Sequence, residues 1–322
     1  MLPDLTILAV ETLTPLQYLG IPVALLGAVF LAVGAQLQHR GVGKVEARAL
    51  RAAQERAEPL AGVEAMEPLA TTAGLSLKQL ALLARRPSWL IGTAMLGLAV
   101  VLQLTALYLA PITLVQPLGA VALVITAVVN ARVSRVTLDA VSIRAIVYCV
   151  VGVALFVGVA SFTTRSHPVS DGQVITILGI LGGVTLVSAV IWGIYRAKFK
   201  AIMYILGAGI LYGFVATLAK VVIDRIKTGD FEWLTLTCLL GLLIATVLGG
   251  VFVQNAYSSG PPDLVIAGLT VVDPIVAVTI GIAVLGEASG AHWSAYLVFL
   301  GAGALAVRGV FMLARHHPQS RA

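Results

Sequence analysis

Charge is what this sequence has least of. Asp, Glu, Lys and Arg together make up 11% of its 322 residues, against roughly a quarter in soluble domains, and that deficit excludes a water-exposed surface. Cysteine is nearly absent too. Cys149 and Cys238 both fall inside apolar runs with no Cys or His at ligand spacing, which argues against a disulfide framework or zinc site and for two small buried hydrophobes. The five histidines (His39, His167, His292, His316, His317) fall at the ends of apolar runs or between them. No carboxylate pair or Ser–His pair lies within a run, so neither enzyme chemistry nor a cofactor is expected. The first residues, Met1 to Thr14, contain Asp4 and Glu11 but no Lys or Arg, unlike the basic start of a secretory signal peptide.

What is abundant is apolar length. Hydrophobic residues make up 59% of the chain and the mean hydropathy is +0.99. Nine stretches, at about 16–38, 88–109, 112–131, 141–161, 173–195, 201–222, 233–254, 262–286 and 291–313, reach the roughly 20 apolar residues that a spanning helix needs. They are too long and too uniformly apolar for the alternating strands of a membrane barrel. The expected fold is therefore an all-α polytopic membrane protein of about nine transmembrane helices, forming a single transporter-like domain over 1–322.

Basic residues set the orientation. With the first long loop placed in the cytoplasm, seventeen Lys and Arg fall inside and only Arg165, Lys220, Arg225 and Lys227 fall outside. This positive-inside bias predicts an outer N-terminus, a cytoplasmic C-terminus and the cell membrane as the location. The sequence pI of about 9.5 is accounted for by the same bias together with anionic lipid, so no nucleic-acid partner is expected. Loop 39–87 is charged in both signs and helix-prone (KVEARALRAAQERAE), and it ends in LARRPSW. It reads as an amphipathic helix along the inner surface, or alternatively as a gate or docking segment. Its stretch from Leu75 to Ala84 is too short to cross.

Polar residues inside the spans carry the functional signal, because a charge at mid-span costs on the order of 2.5–3.5 kcal/mol. One carboxylate lies near a span centre, Asp273 in LTVVDPIVAV. Pro274 follows it and frees a carbonyl one turn earlier, around Thr270, a pattern suited to a midplane cation or proton site or to a structural cap. Glu287 ends the same span in LGEASG. Lys220 ends the sixth in TLAKVV, where it either snorkels or neutralises a carboxylate or an anionic substrate. Gln103, Thr105, Tyr108, Gln116 and Pro117 surround the break LYLAPITLVQP, and Gln254, Asn255 and Tyr257 surround QNAYSSGPPD. Such groups act as interhelical glue or line a polar route. Glycines at short spacing, such as Gly179 with Gly183 and Gly249 with Gly250, predict close helix packing and are compatible with a homodimer.

The two breaks resemble one another. Each runs Gln, then Ala and Tyr, then a turn Pro, then a second Pro within the next span, and the topology puts them on opposite sides. This is the pattern of an inverted repeat, with halves at about 16–161 and 173–313. The order of GAGILYGFVATLAK (Gly207 to Lys220), AYSSGP, Pro274 and the terminal LGE (Leu285 to Glu287) resembles the drug/metabolite transporter superfamily. ALYLAPITLVQPLGA is similar to the motif of the NIPA-type magnesium transporters within it. The resemblance spans about residues 88–313 and departs from the usual ten-helix plan. It implies a secondary transporter that alternates access around a cavity lined by the Pro-kinked spans three and eight. Asp273 would bind the coupling cation or part of a small solute. The alternatives are a magnesium or other divalent-cation transporter and a non-transporting scaffold or lipid-carrier subunit. A cavity with apolar walls, or one open sideways to lipid, favours the last of these.

Overall fold

The computed structural model describes residues 15–57, 87–134, 139–195, 200–230 and 232–315. Among them there is no strand, and nine helices are long and apolar enough to cross a membrane. A single turn, Pro15–Tyr18, leads into α1 (Gly20–Ala57), followed by α2 (Pro87–Leu109). The third span, α3, is composite, with Ile112–Val115 passing through a 3₁₀ turn, Gln116–Gly119, into Ala120–Ser134. Then come α4 (Ala140–Thr163), α5 (Asp171–Tyr195), α6 (Ala201–Thr228), α7 (Trp233–Ser259), α8 (Pro262–Ala283) and α9 (Trp293–Arg315). The chain is an all-α polytopic membrane protein. Odd-numbered helices begin, and even-numbered ones end, at one face of the bundle, called here the near face. The other is the far face.

α1 corrects one expectation. Its 38 residues make a helix about 57 Å long at 1.5 Å per residue, well beyond the span Pro15–Gln38. The segment KVEARALRAAQERA continues α1 and does not start a separate helix on the membrane surface. Gly41 and Gly43 each cost about 1 kcal/mol in a helix, too little to break a run flanked by strong helix formers. Met1 to Thr14 and residues 58–86, which contain most of the basic LARRPSW stretch and the Leu75–Ala84 segment, lie outside the described residues.

The packing order repeats. α1 lies along α2 and touches α3, while α6 lies along α7 and touches α8. α3 leads to α4 as α8 leads to α9, and α4 packs along α9 to join the halves. α5 makes only sparse contact with α6 and α7 and belongs to neither set of four. One contact marks the correspondence closely. At the start of α1, a Cβ built on Gly20 would sit 2.5 Å from Ala110 Cβ in the α2–α3 break. At the start of α6, Ala201 Cβ sits 2.5 Å from where a Cβ on Gly260, in the α7–α8 break, would be. The same junction is built twice with the glycine and alanine exchanged.

Glycines do pack helices closely, although only some of the expected ones do so. A Cβ on Gly152 would lie 2.5 Å from Ala306 N, and one on Gly309 would lie 2.4 Å from Cys149 N, so the α4 and α9 backbones touch. Gly209 and Gly213 give α6 room for Val272 and Val276 of α8. Gly249 closes on the Tyr212 ring. Gly179, Gly183 and Gly250 face open space, contrary to the packing read from their spacing. Spacing shows that small residues share a face, but it does not show which face meets a neighbour. Cys149 and Cys238 are free and buried.

Candidate functional site

At the near face, the α2–α3 break leaves unpaired carbonyls at the end of α2 and unpaired amides at the start of α3. Both sets are satisfied from the other half of the molecule. Lys220, near the end of α6 and only 1% exposed, donates to Leu107 O at 2.8 Å, Ala110 O at 3.2 Å and Ser166 Oγ at 3.2 Å. Its charge is paired with Asp224, one helical turn on, at 3.2 Å. Glu287, 3% exposed, accepts from Ile112 N on Oε1 and Thr113 N on Oε2, both at 2.8 Å. A cation therefore caps the carbonyl end of one helix and an anion the amide end of the next, the arrangement that helix dipoles favour. Lys220 does not snorkel. It neutralises a carboxylate.

The local sequence explains how Glu287 reaches its place. In the turn after α8, Gly286 has a φ of 69°, the left-handed conformation that glycine adopts without strain. The chain folds back so that Glu287 N donates to Gly281 O at 3.0 Å. Gly281 clears the path, since a Cβ there would stand 2.7 Å from Ile112 Cγ2 and 3.1 Å from Glu287 Oε2. Burial pushes the Glu287 carboxyl above its ordinary 4.5, while contacts with Thr113 and Ile112 and the charge of Lys220 pull it back.

Other ties brace the junction. Lys227 donates to Tyr108 O, lies 4.0 Å from the Tyr108 ring centroid and pairs with Asp224 at 3.6 Å. Arg225 reaches Asp171 at 2.6 Å and Thr235 at 2.9 Å. Arg165 N donates to Glu287 O at 2.8 Å. Asp224, Asp171 and Ser166 were not singled out in the sequence. Asp224 had a legible signal, its i,i+4 spacing from Lys220. Asp171 and Ser166 had none.

A second feature is a cavity of about 520 Å³ between α3, α4, α8 and α9. Pro117 and Pro274 both line it, with Phe156, Val271, Val278 and Phe299 among its walls. Thr270, Thr279 and Tyr296 also face it, yet their hydroxyls donate to Ile266 O, Ile275 O and Ala288 O. Asp273 does not line this cavity. It lies against α6, its backbone beside Gly209 and Gly213, within electrostatic reach of Tyr212. Its Oδ1 is buried with no hydrogen-bond partner among the described residues.

The remaining sequence candidates separate. Gln116 is buried in the 3₁₀ turn, Gln103 is half-buried on α2 and Tyr108 is exposed beneath Lys227. On α7, Gln254 and Tyr257 are exposed, and Asn255 turns back to Val251 O at 2.8 Å. The two clusters lie at opposite faces and do not join into one route. Among the described residues, no three His, Cys, Asp or Glu side chains come together as a metal site.

Nine apolar helices among the described residues, with a cross-linked near-face junction and a cavity between four of them, define a polytopic α-helical membrane protein. The chain is 28% identical over 207 residues to an uncharacterized protein of Corynebacterium glutamicum, covering 62% of this chain and 70% of that relative. No protein-family profile matches it, and no solved structure does.

Proposed function

We propose that the chain is a secondary transporter of the drug/metabolite kind, moving a small solute across the cell membrane by alternating access, with its N-terminus outside and its C-terminus in the cytoplasm. The observation that carries this reading is the pair Pro117 and Pro274, kink residues from the two halves that line one cavity. Kinked helices at a repeat interface are how carriers build a central site, while the apolar walls and exposed rim of this one favour the lipid-carrier alternative as the second reading. The near-face junction is the closed gate. Lys220 and Glu287 belong to the second half and hold the break of the first, so opening toward the near face requires releasing both.

Asp273 is the coupling group. It binds a proton or cation on the α6 side of α8 and so biases the position of the helix whose other side bounds the solute. A carboxylate oxygen buried without a partner costs several kcal/mol when charged, which gives ion binding leverage over helix packing. Orientation rests on the seventeen-to-four distribution of basic residues, and three of the four exceptions (Lys220, Arg225 and Lys227) pair with carboxylates.

Reconstitution into proteoliposomes tests the proposal. Asp273→Asn is expected to leave the folded protein intact and to abolish the pH dependence of solute flux. Unchanged flux and pH dependence would remove Asp273 from the mechanism. Absence of flux for every solute in a broad metabolite and lipid screen would remove the carrier reading itself.

A further inference from the structure

The cavity carries an inference about its occupant, and it rests on the carrier reading just given. Its floor is buried, formed by Ala120 of α3, Val153 and Phe156 of α4, and Val271 and Val310. Its rim is exposed and belongs to α8 and α9, with Ile275 50% and Leu300 73% exposed. The cavity therefore opens sideways, between two spanning helices, at a depth where the surrounding medium is lipid. At about 520 Å³ it falls within the size range of ligand sites. Such sites normally carry a few convergent polar groups, and this one has none with a free proton. Each hydroxyl on the wall donates to a main-chain carbonyl. An apolar cavity without polar partners stays dry and gives a hydrated ion or sugar nothing in exchange for its water. The space is open beside the one glycine of its wall, because a Cβ built on Gly303 would meet nothing within 4 Å.

We propose that this cavity binds one acyl chain of a membrane lipid, admitted laterally between α8 and α9, so that the solute handled by the carrier is an amphiphile taken from the bilayer. The polar part of that amphiphile remains outside the apolar walls.

The test is photolabelling in phosphatidylcholine nanodiscs that contain a trace of phosphatidylcholine with a diazirine-bearing acyl chain, followed by peptide mapping. Label is expected on the floor residues Val153, Phe156 and Val310 as well as on Leu243 of α7, which is lipid-exposed. Gly303→Phe fills the cavity and should lower floor labelling about tenfold while leaving Leu243 labelling unchanged. If that variant does not fold, as judged by circular dichroism and size exclusion, Gly303→Leu gives the same readout. An unlabelled floor, or floor labelling that neither variant changes, means annular lipid only and overturns the proposal. Floor label in a protein that moves no solute in proteoliposomes removes the carrier reading and keeps the chain site. Flux of a hydrophilic solute that Gly303→Phe leaves intact, together with an unlabelled floor, removes the chain site and keeps the carrier.

Discussion

Lys220 has three protons and almost no exposure, and the fold gives it four oxygens within 3.2 Å. Removing the cation leaves Asp224 with Lys227 alone and uncaps two carbonyls, so Lys220→Met should destabilise by about 3–5 kcal/mol. Lys220→Met with Asp224→Asn should recover part of that loss, read as Tm in detergent. Glu287 predicts a pH effect whose sign follows from its raised pKa. A carboxyl raised in the folded state contributes stability that is fully present below its unfolded pKa and is lost as pH rises through the folded value. The Tm advantage of wild type over Glu287→Gln should accordingly be largest below pH 4.5 and shrink above it. A difference that grows with pH would contradict the assignment. Both residues were visible in the sequence as charges at the ends of spans. The helix ends they cap were not, because those main-chain carbonyls and amides lie more than a hundred residues away, and no side-chain pattern records an uncapped helix end.

Helices were the most legible elements. Nine apolar runs fix nine spans to within a few residues, since length and hydropathy alone decide what crosses. The function of each glycine was not legible, and α9 shows why. Gly309 lies against the α4 backbone, while Gly303, two turns earlier, lies against open space. Gly309→Val should push α4 and α9 apart and cost the 1–3 kcal/mol typical of overpacking. Gly303→Ala should be neutral or stabilising by up to about 1 kcal/mol. Tm values of the two variants check the contrast. The prolines were partly legible. The family resemblance implies a cavity lined by both kinked spans, and Pro117 and Pro274 do line one. It also assigns Asp273 to that cavity, whereas neighbouring residues on a helix point about 100° apart, and Asp273 lies against α6 instead.

At the scale of the molecule, two sets of four described helices repeat one packing order and are joined where α4 packs along α9, with α5 outside both sets. The proposed orientation is testable on described residues at opposite ends of the bundle. In a variant with Cys149 and Cys238 replaced by Ala, a cysteine at Gly290 should react with a membrane-impermeant maleimide in intact cells, and one at Asp139 only after permeabilisation. The reverse pattern would invert the topology. The junction at the α2–α3 break has a further consequence, for biosynthesis. Ile112 leaves the ribosome 175 residues before the glutamate that receives its amide, a delay of roughly 10–35 s at 5–20 residues per second. For that interval the nascent first half holds an unsatisfied helix break at the membrane boundary. Interfacial water can satisfy the groups of that break until the last loop arrives, and a ribosome stalled after α5 would leave the first five spans without their latch.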